Sequence, residues 1–507
     1  MYYCKNIYIA ILNFMGKILK WTFIPLLLMA LIIFSVNLIS KNKIKSREQT
    51  AKKICGNCHL FPEPSLLSTH TWEKSVLPEM GHRLGYGDRN ELLNRMSFNQ
   101  FQALCNIGIY PEKSMVSSND WEKIVSYYLE NSSTQKTDRL SNPTFKSFKN
   151  PFDIFFPIHK TKNNTQTTSV RFIPAKKEIW IGKYNGQLEI LNLKLKLKET
   201  LKSPGPVVDS KGDYKPIFLS IGTMTPTEEK NGYLYRYNPQ DKINSLITNY
   251  LHRPVSLEVI DINQDDYEDY IILEFGFETG QLSWINGKTN KKKVLSNLPG
   301  ARNIIPQDIN KDGKMDFYAL FAQGNEQIIL FINKGNGNFL PKSILKLPPV
   351  FGSSYFEMSD LNNDGKKDIV LTNGDNADYS NEEKKYHGIH IFLNKGKQIF
   401  EESKFIFYPG ATKTIVKDFD LDGNLDFATI AFFSQKTAPS FLYFKNEGNG
   451  NYVASSLNLP HGQWMTLEAD DMDLDGDIDI ILGNFNFSNT KEMPYKGSFL
   501  LLKNRII

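Results

Sequence analysis

Cysteine is scarce in this chain, with four thiols in 507 residues, at positions 4, 55, 58 and 105. That excludes a small secreted scaffold stapled by disulfides. An excess of one charge is also missing. The 60 lysines and arginines nearly balance the 55 aspartates and glutamates, leaving +5, too even for a nucleic-acid binder. Long apolar runs are absent except for one near the start, residues 21–39, which holds 19 residues without a charge. What is present, 41% hydrophobic and 12% aromatic residues, suits a folded chain of more than one domain.

The run at 21–39 is close to the ~20 residues needed to cross a bilayer. Lys17 and Lys20 precede it, and Lys41, Lys43, Lys45 and Arg47 follow, so charge bias does not set its orientation. Its length and the lack of a small-residue cleavage site after it favour an uncleaved anchor over a signal peptide.

Just beyond lies Cys55-Gly56-Asn57-Cys58-His59. C-x-x-C-H is the attachment signature of c-type haem, with both thiols forming thioethers and the histidine taking the iron. Thioredoxin-like dithiol chemistry needs no histidine there, and a zinc half-site lacks a second Cys/His pair. One haem c is expected, held by Cys55, Cys58 and His59. Its attachment outside the cytoplasmic membrane places the bulk of the chain in a bacterial periplasm, on a single-pass anchor. Helices are expected from about Lys45 to Ile54, from Thr71 towards Met80, and after a cap at Ser118-Asn119-Asp120. For the sixth iron ligand, spacing favours Met115 over Met80, with His70 and His82 as histidine candidates. Cys105 reads as an inert buried thiol.

The polar stretch 131–150 reads as a linker, and beyond it the chain repeats. Five segments share the pattern D-x-[DN]-x-D-x-x-x-D. Their metal-ligand positions are Asp261, Asn263, Asp265 and Asp269; Asp308, Asn310, Asp312 and Asp316; Asp360, Asn362, Asp364 and Asp368; Asp418, Asp420, Asp422 and Asp426; Asp471, Asp473, Asp475 and Asp479. The starts lie 47, 52, 58 and 53 residues apart. Positions one, three, five and nine converge on one cation, and a glycine at six permits the bend; hard oxygens in this number suit Ca²⁺, giving up to five ions. The first loop has Asp266 in place of that glycine. An EF-hand is excluded because Ile272, Ala319, Leu371, Thr429 and Leu482 stand where its glutamate belongs.

Glycine–asparagine hairpins such as Asn333-Lys-Gly-Asn-Gly-Asn338 sit between the aspartate loops. Units of about fifty residues with this content are four-stranded blades of a β-propeller. Two further blades lacking the aspartate loop, within 151–250, make seven, and the terminal strand at 498–503 is expected to close the ring against an early strand. The fold class is therefore multi-domain. A membrane-anchoring tail (1–45) precedes a small all-α haem domain (46–131), a linker (132–150) and an all-β, seven-bladed propeller (151–507).

The aspartate loops and Gly-Asn-Gly hairpins resemble the FG-GAP/VCBS repeats of integrin-α-type propellers. Together with Cys55 to His59, Phe61-Pro-Glu-Pro64, Trp72 and Leu77-Pro-Glu-Met80, the chain resembles bacterial membrane proteins in which a monohaem cytochrome c precedes such a propeller. In those relatives the Leu-Pro-x-Met element belongs to the haem domain, which implies Met80 as the sixth ligand. The resemblance implies calcium only for the five aspartate loops.

The leading functional reading is one-electron transfer by a membrane-anchored periplasmic cytochrome whose calcium propeller docks a redox protein or another ligand, protein or glycan. No nucleic-acid partner is expected. A haem-linked propeller dehydrogenase is the alternative. Against it, the propeller histidines are scattered, and His387 and His390 fall on opposite sides of a strand. An adhesion or carbohydrate-binding module with an auxiliary haem is the third reading.

Overall fold

The computed structural model describes residues 14, 29, 33–35, 38, 41–133, 151–157 and 166–506, apart from 213–214, 239, 241–242, 376–382, 435–437 and 487–494. The apolar run 21–39 thus lies almost wholly outside the described residues. Among the described residues no helix is long and apolar enough to cross a membrane.

The first unit is helical. A helix over 41–55 packs against the closing helix Ser118–Asn131, with Ala51, Trp72, Ile124 and Tyr128 buried between them. A middle helix spans 69–83. Pro78 cannot donate a backbone N–H and would crowd the turn before it. The chain answers by widening that turn, Trp72–Val76, into π-type bonding in which the Leu77 N–H reaches the Trp72 carbonyl. Ser117, rather than the expected residues 118–120, caps the closing helix by accepting from the Asp120 N–H at 3.1 Å. Two short helices, Arg89–Leu93 and Phe98–Asn106, were not expected. Ser97 and Gln100 form a capping box on the second, a signal the sequence did carry. The unit runs two residues past the expected boundary: Ser132 donates to the Thr69 hydroxyl, and the Ser133 carbonyl accepts from the Thr69 N–H. Cys105 is half-buried rather than buried, and accepts from Arg89 at 3.6 Å.

The second unit is a seven-bladed propeller of four-stranded antiparallel sheets. Blades 1 to 6 are each built from four consecutive strands. Blade 7 takes Trp464–Asp470, Asp479–Asn484 and Phe499–Asn504, and is completed by Phe152–Phe155, paired from Phe152↔Asn504 to Phe155↔Leu501. The last strand therefore closes the ring against an early one, as expected. The second strands, such as Asp316–Phe321 and Asp368–Asn373, are buried along their whole length, while outer strands such as Phe339–Lys346 are largely exposed. The closure is well anchored: Phe152 is buried edge-on against Phe419 and Tyr443 at ring distances of 6.1 and 5.8 Å. We expect Phe152→Ala to cost about 3–5 kcal/mol, read by denaturant unfolding of the propeller.

The aspartate loop does not begin a blade. It joins the first strand to the second, as 261–268 joins Pro254–Ile260 to Asp269–Glu274. What recurs strongly in the sequence is the loop and the buried strand after it. The first strands line the centre of the ring and vary more, as Pro254–Ile260 and Trp464–Asp470 do, so the repeat straddles two blades.

Antiparallel order also assigns the faces. Loops between strands one and two, and between three and four, leave by one side; loops between two and three, and between blades, leave by the other. The aspartate loops and the glycine hairpins therefore share a face. The helical unit sits on the opposite one. It reaches Glu278, in the loop between the second and third strands of blade 3, and Val350, between blades 4 and 5. Arg83 gives its guanidinium to the buried Glu278 carboxylate and lies beside Glu79, which also receives Arg95 at 3.0 Å and the Tyr110 hydroxyl at 3.3 Å.

Candidate functional site

The C-x-x-C-H segment begins where helix 41–55 ends. Gly56 folds back so closely that a Cβ there would lie 2.7 Å from the Lys52 carbonyl oxygen, so the position needs glycine. The Pro62-Glu63-Pro64 turn after the motif is held from two sides. Trp72 donates its indole N–H to Pro64 O at 2.8 Å, and Tyr128 its hydroxyl to Pro62 O at 2.9 Å, with the two rings 4.3 Å apart. Trp72→Phe keeps most of the ring but strands the Pro64 carbonyl, an expected loss of about 1–2 kcal/mol by thermal unfolding of the helical unit.

The two thiols differ. Cys58 is exposed and Cys55 half-buried, and burial pushes the Cys55 thiol up to about 11. Reactive dithiols need the reverse, a first cysteine at a helix N-terminus with a lowered pKa. Cys55 stands at a helix C-terminus, where the dipole further disfavours a thiolate. Thiol–disulfide exchange is a poor use of this pair.

Burial lowers the pKa of the His59 imidazole, keeping the ring neutral. Its Nδ1 lies 2.9 Å from the Leu60 carbonyl oxygen and must donate, which leaves Nε2 as the acceptor. A ring oriented through one nitrogen with the other left as a lone pair is the arrangement of a metal-ligating histidine.

Met80 packs against the same cluster as Cys55, Phe61 and Trp121, whereas Met115 is 65% exposed. His82 is buried with Nε2 3.2 Å from Glu91, and His70 is exposed. In the propeller, His390 has both nitrogens engaged, by Glu402 at 2.6 Å and the Tyr386 carbonyl at 2.9 Å.

The five aspartate loops share one backbone. In each, the first aspartate accepts from the N–H groups of residues five and six, as Asp308 does from Asp312 and Gly313. Residue six has a positive φ throughout, and Asp266 adopts it at 66°, as aspartate tolerates better than most residues. The ninth aspartate is buried in every loop and accepts from the backbone at the end of the third strand, as Asp316 does from Asn333 and Asp368 from Asn394. It staples the loop to the hairpin on the same face. That role was not foreseen from the spacing.

The loops then divide. In the last two, carboxylate oxygens converge within 4.8 Å of one another: Asp418, Asp420 and Asp426 in one, Asp471, Asp473 and Asp475 in the other. Asp420 and Asp473 each keep a buried Oδ1 without a hydrogen-bond partner. Lys445 approaches Asp420 and Asp422, and Lys503 approaches Asp473 and Asp475, so an ammonium already stands among these carboxylates. The first two loops carry asparagine at position three, and its amide turns inward to donate, Asn263 to Asp265 at 3.1 Å and Asn310 to Asp312 at 3.2 Å. The third has Asn362 there, with its Oδ1 accepting from the Asp364 N–H at 3.1 Å. The oxygen-rich sets of the last two loops have the chemistry a hard dication takes.

Fold and loops together define a seven-bladed propeller, five of whose blades carry an aspartate loop, beside a helical unit. The FG-GAP-like repeat family matches residues 308–371 and 360–429, which contain the second, third and fourth aspartate loops. Among curated proteins no match is found. Among solved structures, the β-propeller domain of Cps50 (Swd1) from Myceliophteria thermophila is 10% identical, covering 67% of this chain and 97% of its own, with a TM-score of 0.41. An Agrocybe aegerita lectin, described as recognising non-reducing terminal N-acetylglucosamine, is 14% identical over 64% of this chain and 95% of its own, with a TM-score of 0.37.

Proposed function

We propose that this chain is a membrane-anchored, periplasmic c-type cytochrome for one-electron transfer, whose propeller docks the redox partner or another ligand. The observation that carries the reading is the C-x-x-C-H segment with its histidine oriented: His59 Nδ1 is held 2.9 Å from Leu60 O, which leaves Nε2 as the nitrogen for a ligand. The residues fit haem c: two thiols at the right spacing, an oriented imidazole, and a thioether from Met80 against the same apolar cluster. Haem c supplies a one-electron couple. The protein's own part is to orient His59, to keep water from the apolar side of the motif through Phe61 and Trp121, and to hold the segment on the propeller through Arg83 and Glu278.

We further propose Ca²⁺ in the loops 418–426 and 471–479, where three carboxylates converge and one buried oxygen is unpartnered in each. Because the aspartate face lies opposite the helical unit, the ions would stiffen blades 6 and 7 without touching the redox site.

The test is expression in a host that matures c-type cytochromes, followed by intact mass and an alkaline pyridine spectrum. One haem per chain, lost in Cys55→Ser/Cys58→Ser, is expected. A chain that carries no covalent haem after such expression rejects the cytochrome.

A further inference from the structure

The centre of the ring holds a cavity of about 590 Å³ lined by the first strands of all seven blades. Its lining comes mostly from the early residues of those strands, together with Phe275, Phe277 and Phe433 from loops on the face that carries the helical unit. It therefore opens on that face. Phe277 lines the mouth while its neighbour Glu278 holds Arg83, so the helical unit stands at the rim.

The lining is unbalanced in charge. Five cations (Arg171, Lys211, Arg253, Arg302, Lys413) stand against three carboxylates (Asp209, Glu258, Asp375), an excess of two. Arg171 and Lys211 are satisfied by carboxylates. Arg171 holds Asp209 at 3.1 Å and, behind the lining, Glu468 at 3.1 Å, while Lys211 holds Glu258 at 3.1 Å. Arg253 gives its guanidinium to the carbonyl oxygens of Met224 and Gly276.

The other two cations have capacity left. Lys413 opens the first strand of blade 6, Lys413–Lys417, with its ammonium over the Tyr355 ring at 4.7 Å. It donates to the Leu467 carbonyl oxygen at 2.7 Å, and no carboxylate among the described residues comes within ion-pair distance of it. Burial lowers its pKa, and the more distant Glu468, Glu357 and Asp209 do not make up the loss. An anion beside such a cation recovers part of its desolvation cost. Arg302, in the first strand of blade 4, reaches Asp375 through Nη1 at 2.9 Å. That bond uses one of its five N–H groups, and 28% of the side chain stays exposed.

Arg302 and Lys413 stand two blades apart in a cavity they share with the apolar side chains of Phe277, Phe433 and Met465. Two separated cations on a partly apolar wall suit a ligand with a carboxylate at each end of a short carbon chain. A guanidinium takes a carboxylate through paired N–H groups, and an ammonium takes one as a point charge. The excess of two charges equals that of such a ligand, and the size falls in the ordinary range for small-ligand sites. We infer that the channel binds a small organic dicarboxylate, with Arg302 and Lys413 as its two anchors. The inference rests on reading the propeller as a docking module and is independent of the haem.

The test is titration calorimetry and saturation-transfer NMR on the full chain at low ionic strength. The probes are succinate, glutarate, adipate, acetate, inorganic phosphate and glucose. Saturable binding of at least one dicarboxylate is expected, tighter than acetate or phosphate. Its affinity should fall at least about tenfold in Arg302→Gln and, separately, in Lys413→Met. Melting curves identify a variant that has lost its fold, and a loss of affinity in either folded variant suffices. If neither variant folds, the ranking of the six probes on the wild type still decides. Dicarboxylate binding unchanged in every variant that folds overturns the channel as the site. Acetate or phosphate binding as tight as any dicarboxylate overturns the two anchors, and glucose binding without any dicarboxylate overturns the ligand class. Binding of none of the six probes overturns the inference but leaves docking of a protein partner standing.

Discussion

With Ca²⁺ in the loops 418–426 and 471–479 as proposed, stripping divalent cations from the protein should reverse the slope that these loops give its pH–stability curve. Burial among neighbouring carboxylates pushes Asp426 and Asp479 up to about 7, against an ordinary aspartate value of 3.8. A carboxyl whose folded pKa lies above its unfolded pKa binds its proton more tightly in the fold. Between about pH 4 and 7 the folded chain then carries more protons than the unfolded one, so stability falls as pH rises and flattens above 7. Calcium beside the same groups favours their ionised forms, brings both pKa values down, and makes stability rise or hold over that window. In chelator, the melting temperature of the propeller at pH 8 should lie below that at pH 5; with millimolar Ca²⁺ the order should invert. The pair contributes on the order of 2–4 kcal/mol, below what the full displacement of the two pKa values would give because water still reaches the loops. Asp420→Asn/Asp473→Asn should abolish the calcium response and make the chelator curve shallower, because each loop loses a carboxylate that helps burial to raise Asp426 and Asp479. Identical slopes with and without Ca²⁺ would mean that Lys445 and Lys503 are the only cations these loops hold.

Much of the propeller was legible because its physics is local. The D-x-[DN]-x-D-G turns, the glycine hairpins and the apolar runs between them are short-range signals that each recur, and together they yield the blade count and the closing strand. The boundary between repeat and blade was not legible, because the first strands face a polar channel and lack a shared pattern. The division among the aspartate loops follows from position three, where Asn263 and Asn310 donate an amide N–H into the loop, with Asn263 Oδ1 also buried and unpartnered, while Asp420 and Asp473 bring a further carboxylate into the cluster. That difference is visible in the sequence. The lysines that enter the last two loops lie 25 and 30 residues beyond Asp420 and Asp473 in the chain, close only through strand pairing. The channel was hidden for the same reason: Arg171, Lys211, Arg302 and Lys413 meet only when seven blades close a ring. In the helical unit, Cys55, Cys58 and His59 announce themselves, while the choice between Met80 and Met115 needs the packing of helix 69–83.

Met80→Ala should remove the methionine-to-iron absorption band of the haem-loaded protein and lower its midpoint potential by on the order of 100 mV, while Met115→Ala leaves both unchanged. Met80 sits on the turn that follows the π-type widening at Trp72–Val76, and packs with Cys55 and Phe61 against the buried face of Trp72 and Tyr128. The next residue, Gly81, would place a Cβ 3.3 Å from the Trp121 ring, so this stretch of helix is pinned tightly to the closing helix. Such pinning fixes where the thioether can go and makes a substitute ligand hard to recruit. Met115 is exposed on the loop after Tyr110, its N–H bonded to Leu84 O, and packs with neither cysteine's cluster. Spacing in the chain favoured Met115, but burial favours Met80. Potentiometry with absorption at both variants decides between them, and persistence of the band in Met80→Ala would sink the assignment. His82→Ala serves as the control for a histidine ligand, since His82 is buried two residues away with Nε2 on Glu91. If the haem is ligated by two histidines, His82→Ala rather than Met80→Ala changes the spectrum, and the wild type shows no methionine band at all.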